Sequence, residues 1–288
     1  MKIVQQTIAS LGAPMWIESL ERPYGSAVIA RWRHLNGQLR ISTADAIRVC
    51  LSLSTGQQVR HAERDRTLSK NVLAGDVIVA PSGIPTETTL EGDAEVVQIF
   101  IEPESLGLAA SKTMITTPLA PPGGALKRAA IQVFVAARHD DWSGYDVAAA
   151  RLRQRVRDLL TAPTGDERKR AHAELPPMAI RRAEQLINEA MQNPHSASPT
   201  LRDLAATAGL SPNHLIRSLR QVRGTTPHQL VMTRRCQRAM DFLRQPDLTV
   251  AEVAWRAGYS SPAYFIASFR QRLGVTPGAY QRAVAPTG

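Results

Sequence analysis

Cysteine is almost absent from this sequence. The 288 residues hold two, Cys50 and Cys236, far apart and in no metal-ligand spacing. That argues against a disulfide-built scaffold or a cysteine-held zinc site, and it reads as reduced thiols in a cytoplasmic protein. Long apolar runs are missing too. None approaches the roughly 18–20 residues that span a bilayer. The opening MKIVQQTIASLGAPMW lacks the continuous apolar core of a secretory signal. The expectation is a soluble protein with no membrane partner. Histidine is thin where a metal enzyme would need it. Of seven, only His34 and His61 fall in strand-like segments; His139, His172, His195, His214 and His228 fall in helical or linker segments. An iron or manganese site needs converging histidines and carboxylates. No metal, no cofactor and no catalytic residue is therefore expected. Lysine, finally, is missing from the last third. From Met178 onward there are fourteen arginines, no lysine and six carboxylates, which places +8 of the chain's net +10 there. Guanidinium groups suit paired contacts with phosphate and guanine edges, so a basic, arginine-only region points to nucleic acid.

What is present divides into two parts, as the length suggests. The first hundred residues favour short β-branched strands: AVIARWRH (27–34), AIRVCLSLS (46–54), DVIVAP (76–81) and EVVQIFIEP (95–103). Turn signals separate them: Asn36-Gly37, Thr55-Gly56, Ala74-Gly75, Ser82-Gly83 and Glu91-Gly92-Asp93. Such spacing predicts an antiparallel sandwich or barrel. Ile47, Val49, Leu51 and Leu53 alternate onto one face. Segment 27–34 puts Trp32 and His34 on one face and Arg31 and Arg33 on the other, with both arginines expected at the surface. After Pro103 the pattern turns helical, with a short helix in ESLGLAASKTM and a loop at 118–125. Helices follow over 126–139 and 145–161, the second with an apolar stripe of Val147, Leu152, Val156, Leu159 and Leu160. Residues 162–177, rich in charge, proline and glycine, read as a linker. The remainder reads as all-helical.

Within it the chain repeats itself. TLRDLAATAG (200–209) aligns with TVAEVAWRAG (249–258) at an offset of 49. From Ser211 to Pro227 the offset becomes 50, and nine of those 17 positions are identical. Each copy reads as a helix-turn-helix. Thr200 caps a helix with Asp203 three residues on, a stripe of Leu201, Leu204, Ala205 and Ala208 follows, and Gly209 ends it. Ser211 then caps a second helix with Pro212 at its first position. In the second copy Thr249, Val250, Val253, Ala254, Gly258, Ser260 or Ser261, and Pro262 take these places. At about 100° per residue, Leu215, Leu219 and Val222 face inward. Asn213, Arg217 and Arg220 lie opposite, flanked by His214, Ile216 and Gln221. In the second copy Phe265 and Phe269 face inward, and Ala263, Ala267 and Arg270 outward. A helix offering asparagine and arginine in its first half fits the major groove. Residues 227–245 read as one connecting helix stopped by Pro246, roughly 28 Å long at 1.5 Å per residue. That length suits two reading helices set about one DNA turn, roughly 34 Å, apart.

These features resemble the AraC/XylS family of bacterial transcription regulators. The resemblance covers residues 178–288 and is carried by the paired units, the connecting helix and the endings Gly224-Thr225-Thr226-Pro227 and Gly274-Val275-Thr276-Pro277, the latter running into Gly278-Ala279-Tyr280-Gln281-Arg282. It implies an all-α domain with two helix-turn-helix units that enter the major groove. It places base-reading positions at Asn213, Ile216 and Arg217, and at Ala263, Ile266 and Ala267. The family often has arginine where Ala267 stands, so the second unit is expected to touch thymine methyls or to grip phosphate through Arg270 and Arg272. The N-terminal half is similar to a cupin-type sensor barrel. GDVIVAPSG (75–83) carries Gly75, Pro81 and Gly83 of one cupin motif, but Thr86 stands where enzymatic cupins place a metal-binding histidine. Of the other motif only His61 and Glu63 are present.

The resulting expectation is an α+β chain of two domains. A cupin-like antiparallel β-barrel occupies 1–115, and a helical pair able to form a homodimer occupies 116–161. A linker spans 162–177, and an AraC-type DNA-binding domain with two helix-turn-helix units joined by a long helix spans 178–288. The function implied is a sequence-specific regulator of transcription, an activator in contact with double-stranded DNA and RNA polymerase. Control by a small-molecule effector is expected, with Trp32, His34 and His61 as candidate ligand contacts. Two alternatives stand beside it: a cupin-type metal enzyme fused to a DNA-binding tail, and an N-terminal domain that serves only dimerisation or a protein partner.

Overall fold

The computed structural model describes residues 2–20, 27–41, 46–55, 57–63, 66–80, 82, 86–107, 124–161, 178–192 and 199–285. The expected linker at 162–177 and the loop at 118–123 lie outside them. The chain forms two compact units: Met1–Ala162 together with Phe269–Gly288, and Pro163–Ser268.

The first unit is built on an antiparallel sheet. Helix α1 (Lys2–Leu11) precedes β1 (Trp16–Leu20), β2 (Ala27–Ile41), β3 (Ile47–Ser52), β4 (Gln57–Glu63), β5 (Arg66–Val72), β6 (Val77–Ala80) and β7 (Thr86–Ile101). The order is β1-β2-β7-β3-β6, with β4 added to β7 and β5 to β4. Among the described residues no ladder joins the ends of this path into a closed barrel. Strand β7 is the spine. Its second half lies between β2 and β3, matching Val97 to both Arg31 and Leu51; its first half pairs with β2 and β4, matching Leu90 to both Gly37 and Val59.

Two of the expected turns are instead interior to long strands. Asn36-Gly37 sits inside β2 and Glu91-Gly92-Asp93 inside β7, and the β2–β7 register shifts at that place, from Leu35↔Ala94 to Gly37↔Leu90. Glycine in a strand interior commonly marks such an irregularity, where the strand bends without reversing.

Both faces of the sheet's centre are covered. Ile47, Val49, Leu51 and Leu53 are buried as the alternation predicts. The opposite face supplies Val28, Ala30, Trp32, Val96 and Phe100, which cluster with Val4 of α1 against Ile8 and Leu11. A 3₁₀ turn (Pro103–Leu106) replaces the start of the short helix expected after Pro103; the rest of that segment lies outside the described residues. Helix α2 (Ala125–Arg138) packs on β3, β6 and α3 (Trp142–Thr161). The inward stripe of α3 is Tyr145, Ala148, Ala149, Leu152 and Val156. Val147 is exposed, contrary to its placement in the stripe, because one position of phase separates it from Ala148.

The second unit is helical: α4 (Met178–Gln192), α5 (Leu201–Ala208), α6 (Pro212–Arg223), α7 (Pro227–Phe242), α8 (Val250–Arg256) and the first half of α9 (Pro262–Leu273). Its core gathers Ile180, Ala183 and Ile187 of α4, Leu204, Ala205 and Ala208 of α5, Leu215 and Leu219 of α6, and Val231 of α7. Leu201, expected in that stripe, is exposed at the first helical position. The connecting helix is shorter than its sequence suggested. α7 ends at Phe242, before Pro246, and its 16 residues give roughly 24 Å. The last helix, α10 (Pro277–Val284), belongs to the first unit.

Candidate nucleic-acid interface

The two repeated copies are built from the same local devices. In the first, Thr200 accepts from the Asp203 backbone N–H while the Asp203 carboxylate accepts from the Thr200 N–H at 2.7 Å. This reciprocal cap satisfies two backbone donors that a helix start leaves bare. Gly209, at φ 66°, ends α5 in the left-handed conformation. Ser211 then caps α6, accepting from His214 N–H, with Pro212 at the first helical position. In the second copy Thr249 and Glu252 form the same box, and Ser261 accepts from Tyr264 N–H. Of the two serines open to the cap role, the structure assigns it to Ser261. The one-residue insertion between the copies falls in this turn. There Tyr259 is buried and meets the rings of Tyr264 and Phe265, with centroids 6.0 and 4.9 Å away.

Helix α6 is two-faced. Leu215 and Leu219 are fully buried and Val222 is half-buried. Asn213, His214, Arg217, Arg220 and Gln221 are exposed, and Ile216 is half-buried beside them. The hydrophobic side fixes the roll of the helix, and the polar side is what remains for solvent or a partner. In α9, Phe265 and Phe269 are fully buried. Ala263, Ala267 and Arg270 are exposed and Arg272 is half-buried. The outward face of α9 also carries Tyr264 and Ile266 as exposed large side chains. The family resemblance places Ile266 there; Tyr264 is the counterpart of His214 at the offset of 50, which is the signal that points to it.

The electrostatics favour an anion. Arg202, Arg217, Arg220 and Arg256 are exposed in the second unit. The acids of the two helix starts are already engaged. The Thr200 hydroxyl and backbone hold the Asp203 carboxyl below its ordinary range, and the Thr249 backbone and hydroxyl do the same for Glu252, with a smaller contribution from Arg256. Their charge serves the helix N-termini.

Of the candidate ligand residues of the first unit, Trp32 alone has a described side chain. Trp32 is packed in the apolar cluster, and its indole N–H donates to the Gly12 carbonyl at 2.9 Å. His34 and His61 lie on β2 and β4, and their side chains, like that of Arg33, fall outside the described residues. Arg31 overturns its expected exposure. It is buried and paired with Glu95, whose carboxylate repays the loss of water around the guanidinium. Burial pushes the Cys50 thiol up, partly offset by Arg48. Neither Cys50 nor Cys236 is in a disulfide. Among the described residues no three of His, Cys, Asp and Glu stand close enough to hold a metal, and no helix is long and apolar enough to cross a membrane.

A helix-turn-helix domain family matches residues 204–283. An uncharacterised helix-turn-helix transcriptional regulator of Bacillus subtilis, YdeC, is 34% identical over 83 residues, 29% of this chain and 28% of its own. The transcriptional activator NphR of Rhodococcus is 36% identical over 97 residues, 34% of this chain and 29% of its own. The solved DNA-binding domain of the transcriptional factor AdpA, in complex with a target DNA, is 32% identical. It covers 35% of this chain and 91% of that one, at a TM-score of 0.32. The chain thus spans less than a third of the length of these two curated relatives.

Proposed function

We propose, for a chain whose residues 204–283 match a helix-turn-helix domain family and which resembles the AraC-type regulators, that it regulates transcription by binding double-stranded DNA in a sequence-dependent way. The observation that carries this reading is α6. Its buried Leu215 and Leu219 leave Asn213, Arg217, Arg220 and Gln221 outward on a capped helix, within an arginine-only region. Asparagine pairs with the adenine edge and arginine with guanine, and both act in the first half of a helix that enters the major groove. We assign base reading to Asn213, Ile216 and Arg217, with His214, Arg220 and Gln221 beside them. The second copy offers Ala263 and Ala267 where α6 has Asn213 and Arg217, so it contributes apolar contact with thymine methyls and a phosphate grip through Arg270 and Arg272.

Activation through RNA polymerase is the sense of regulation we infer, in keeping with the activator named among its relatives. The sheet unit is the place for an effector, within a cupin-like fold, and its helical pair α2–α3 is the place for homodimer contacts.

The test is selection of duplexes from a random pool by the wild-type chain, followed by titration of Arg217→Ala against a selected and a random duplex. The variant should lose about 1–3 kcal/mol on the selected duplex and far less on the random one. Equal loss on both would remove Arg217 from base reading.

A further inference from the structure

In the first copy of the repeat, the helix that follows the Gly-x-Thr-Pro ending is α7, and its Val231 packs into the core of its own unit. In the second copy the corresponding helix is α10, and its surroundings differ. It packs on α2 within the sheet-bearing unit, with Pro277, Tyr280, Ala283 and Val284 buried. By position α10 follows the second copy as α7 follows the first; by packing it is part of the unit that holds the sheet.

What grips it is specific. A helix leaves its last carbonyls without internal donors. Here Arg31, from the middle of β2, spreads its guanidinium over the carboxyl end of α10. It donates to the Val284 carbonyl at 2.5 Å, and to those of Ala285 and Ala283 at 3.3 and 3.4 Å. Its Nε donates to Glu95 of β7, and the two side chains form a buried ion pair. Arg138 of α2 adds a donor to the Ala283 carbonyl at 3.1 Å. Near the start of α10 the His139 ring meets the Ala279 carbonyl at 2.9 Å, and the Gln132 amide donates to Gly274 at 3.3 Å. A guanidinium at a helix carboxyl end is favoured both by the helix dipole and by the bare acceptors. From α10 the contact continues to α9, since the Tyr280 ring packs edge-on against Phe269 at 5.8 Å.

We propose that Glu95 and Arg31 form a latch that holds α10 by its carboxyl end and so makes DNA binding by the second helix-turn-helix depend on the sheet. Glu95 aims the guanidinium, the guanidinium fixes the last turn of α10, and Tyr280 carries that order to the end of α9. A change in the sheet that moves β2 against β7 at Arg31 and Glu95 would loosen α10 without touching α6. The DNA part of this inference rests on the function proposed above; the hold on α10 does not.

The experiment uses the full chain and two variants. Arg31→Met with Glu95→Leu removes both buried charges together, so neither is left stranded. Arg31→Lys keeps a cation beside Glu95 but cannot fork across three carbonyls, and it carries the test if the double variant fails to fold. Amide hydrogen exchange is read over residues 279–285 and over 201–223, and footprints are taken on a duplex selected by the wild-type chain. The latch predicts at least tenfold faster exchange at 279–285 with 201–223 unchanged. It also predicts about tenfold weaker binding and loss of the footprint on the half-site read by the second copy. Unchanged exchange at 279–285 in a folded variant would overturn the latch; faster exchange with an unaltered footprint would overturn its link to DNA. A wild-type chain that selects no duplex would defeat the DNA reading alone, and exchange would then decide the latch by itself.

Discussion

Arginine occurs in two settings in this molecule, and burial tells them apart. Arg217 and Arg220 are exposed on α6, free to meet bases or phosphates, while Arg31 is buried against Glu95 and a helix end. Arg270, exposed on α9 where the neighbouring outward positions are alanines, is the phosphate contact proposed above. Arg270→Ala should weaken binding to selected and random duplexes alike and reduce the slope of log K against log salt by about one, measured by titration across a salt series. The exposed set was legible because Leu215 and Leu219, four apart, fix the phase of α6. Arg31 was not. Strand alternation sets it opposite Trp32, but it cannot say that the face it joins is covered. Its partner Glu95 stands 64 residues away, and no local pattern links the two.

Among the elements, the helix starts carry the clearest sequence signals, and the structure forms the expected boxes at Thr200 and Thr249. Thr249→Ala should lower stability by about 0.5–2 kcal/mol at neutral pH. The pH dependence follows from the direction in which the Glu252 carboxyl is moved. Its folded pKa lies below its ordinary value, so the carboxylate's part of the box is complete above the ordinary carboxylate range and is lost as pH falls through the lower folded value. In denaturant unfolding the gap between wild type and Thr249→Ala should therefore narrow in acid without closing, since the Glu252 backbone N–H still donates to the Thr249 hydroxyl. The strands were less legible. β5, RTLSKNV, has little alternation, and the glycines of β2 and β7 imitate turns. α1 did carry a helical pattern in Val4, Thr7, Ile8 and Leu11, which is the face it buries.

At the scale of the whole molecule, two cores hold two units. Phe134 of α2 and Leu219 of α6 are each fully buried, one in each. Phe134→Ala should cost about 3–5 kcal/mol and Leu219→Ala about 2–5 kcal/mol. Peptide-level hydrogen exchange in mild denaturant should show each loss confined largely to its own unit; equal loosening throughout the chain would mean a single cooperative body. The break between a strand-rich and a helical part was readable from composition and periodicity. That α10 groups with the sheet was not, since it directly follows the second copy of the repeat and only long-range packing assigns it to the sheet.

The division of α6 into an anchoring side and an outward side has a consequence for how this protein can change. Replacements at 213, 217 or 221 remove nothing from the core beneath them. The outward side can therefore vary one substitution at a time, with no prior repair of the scaffold.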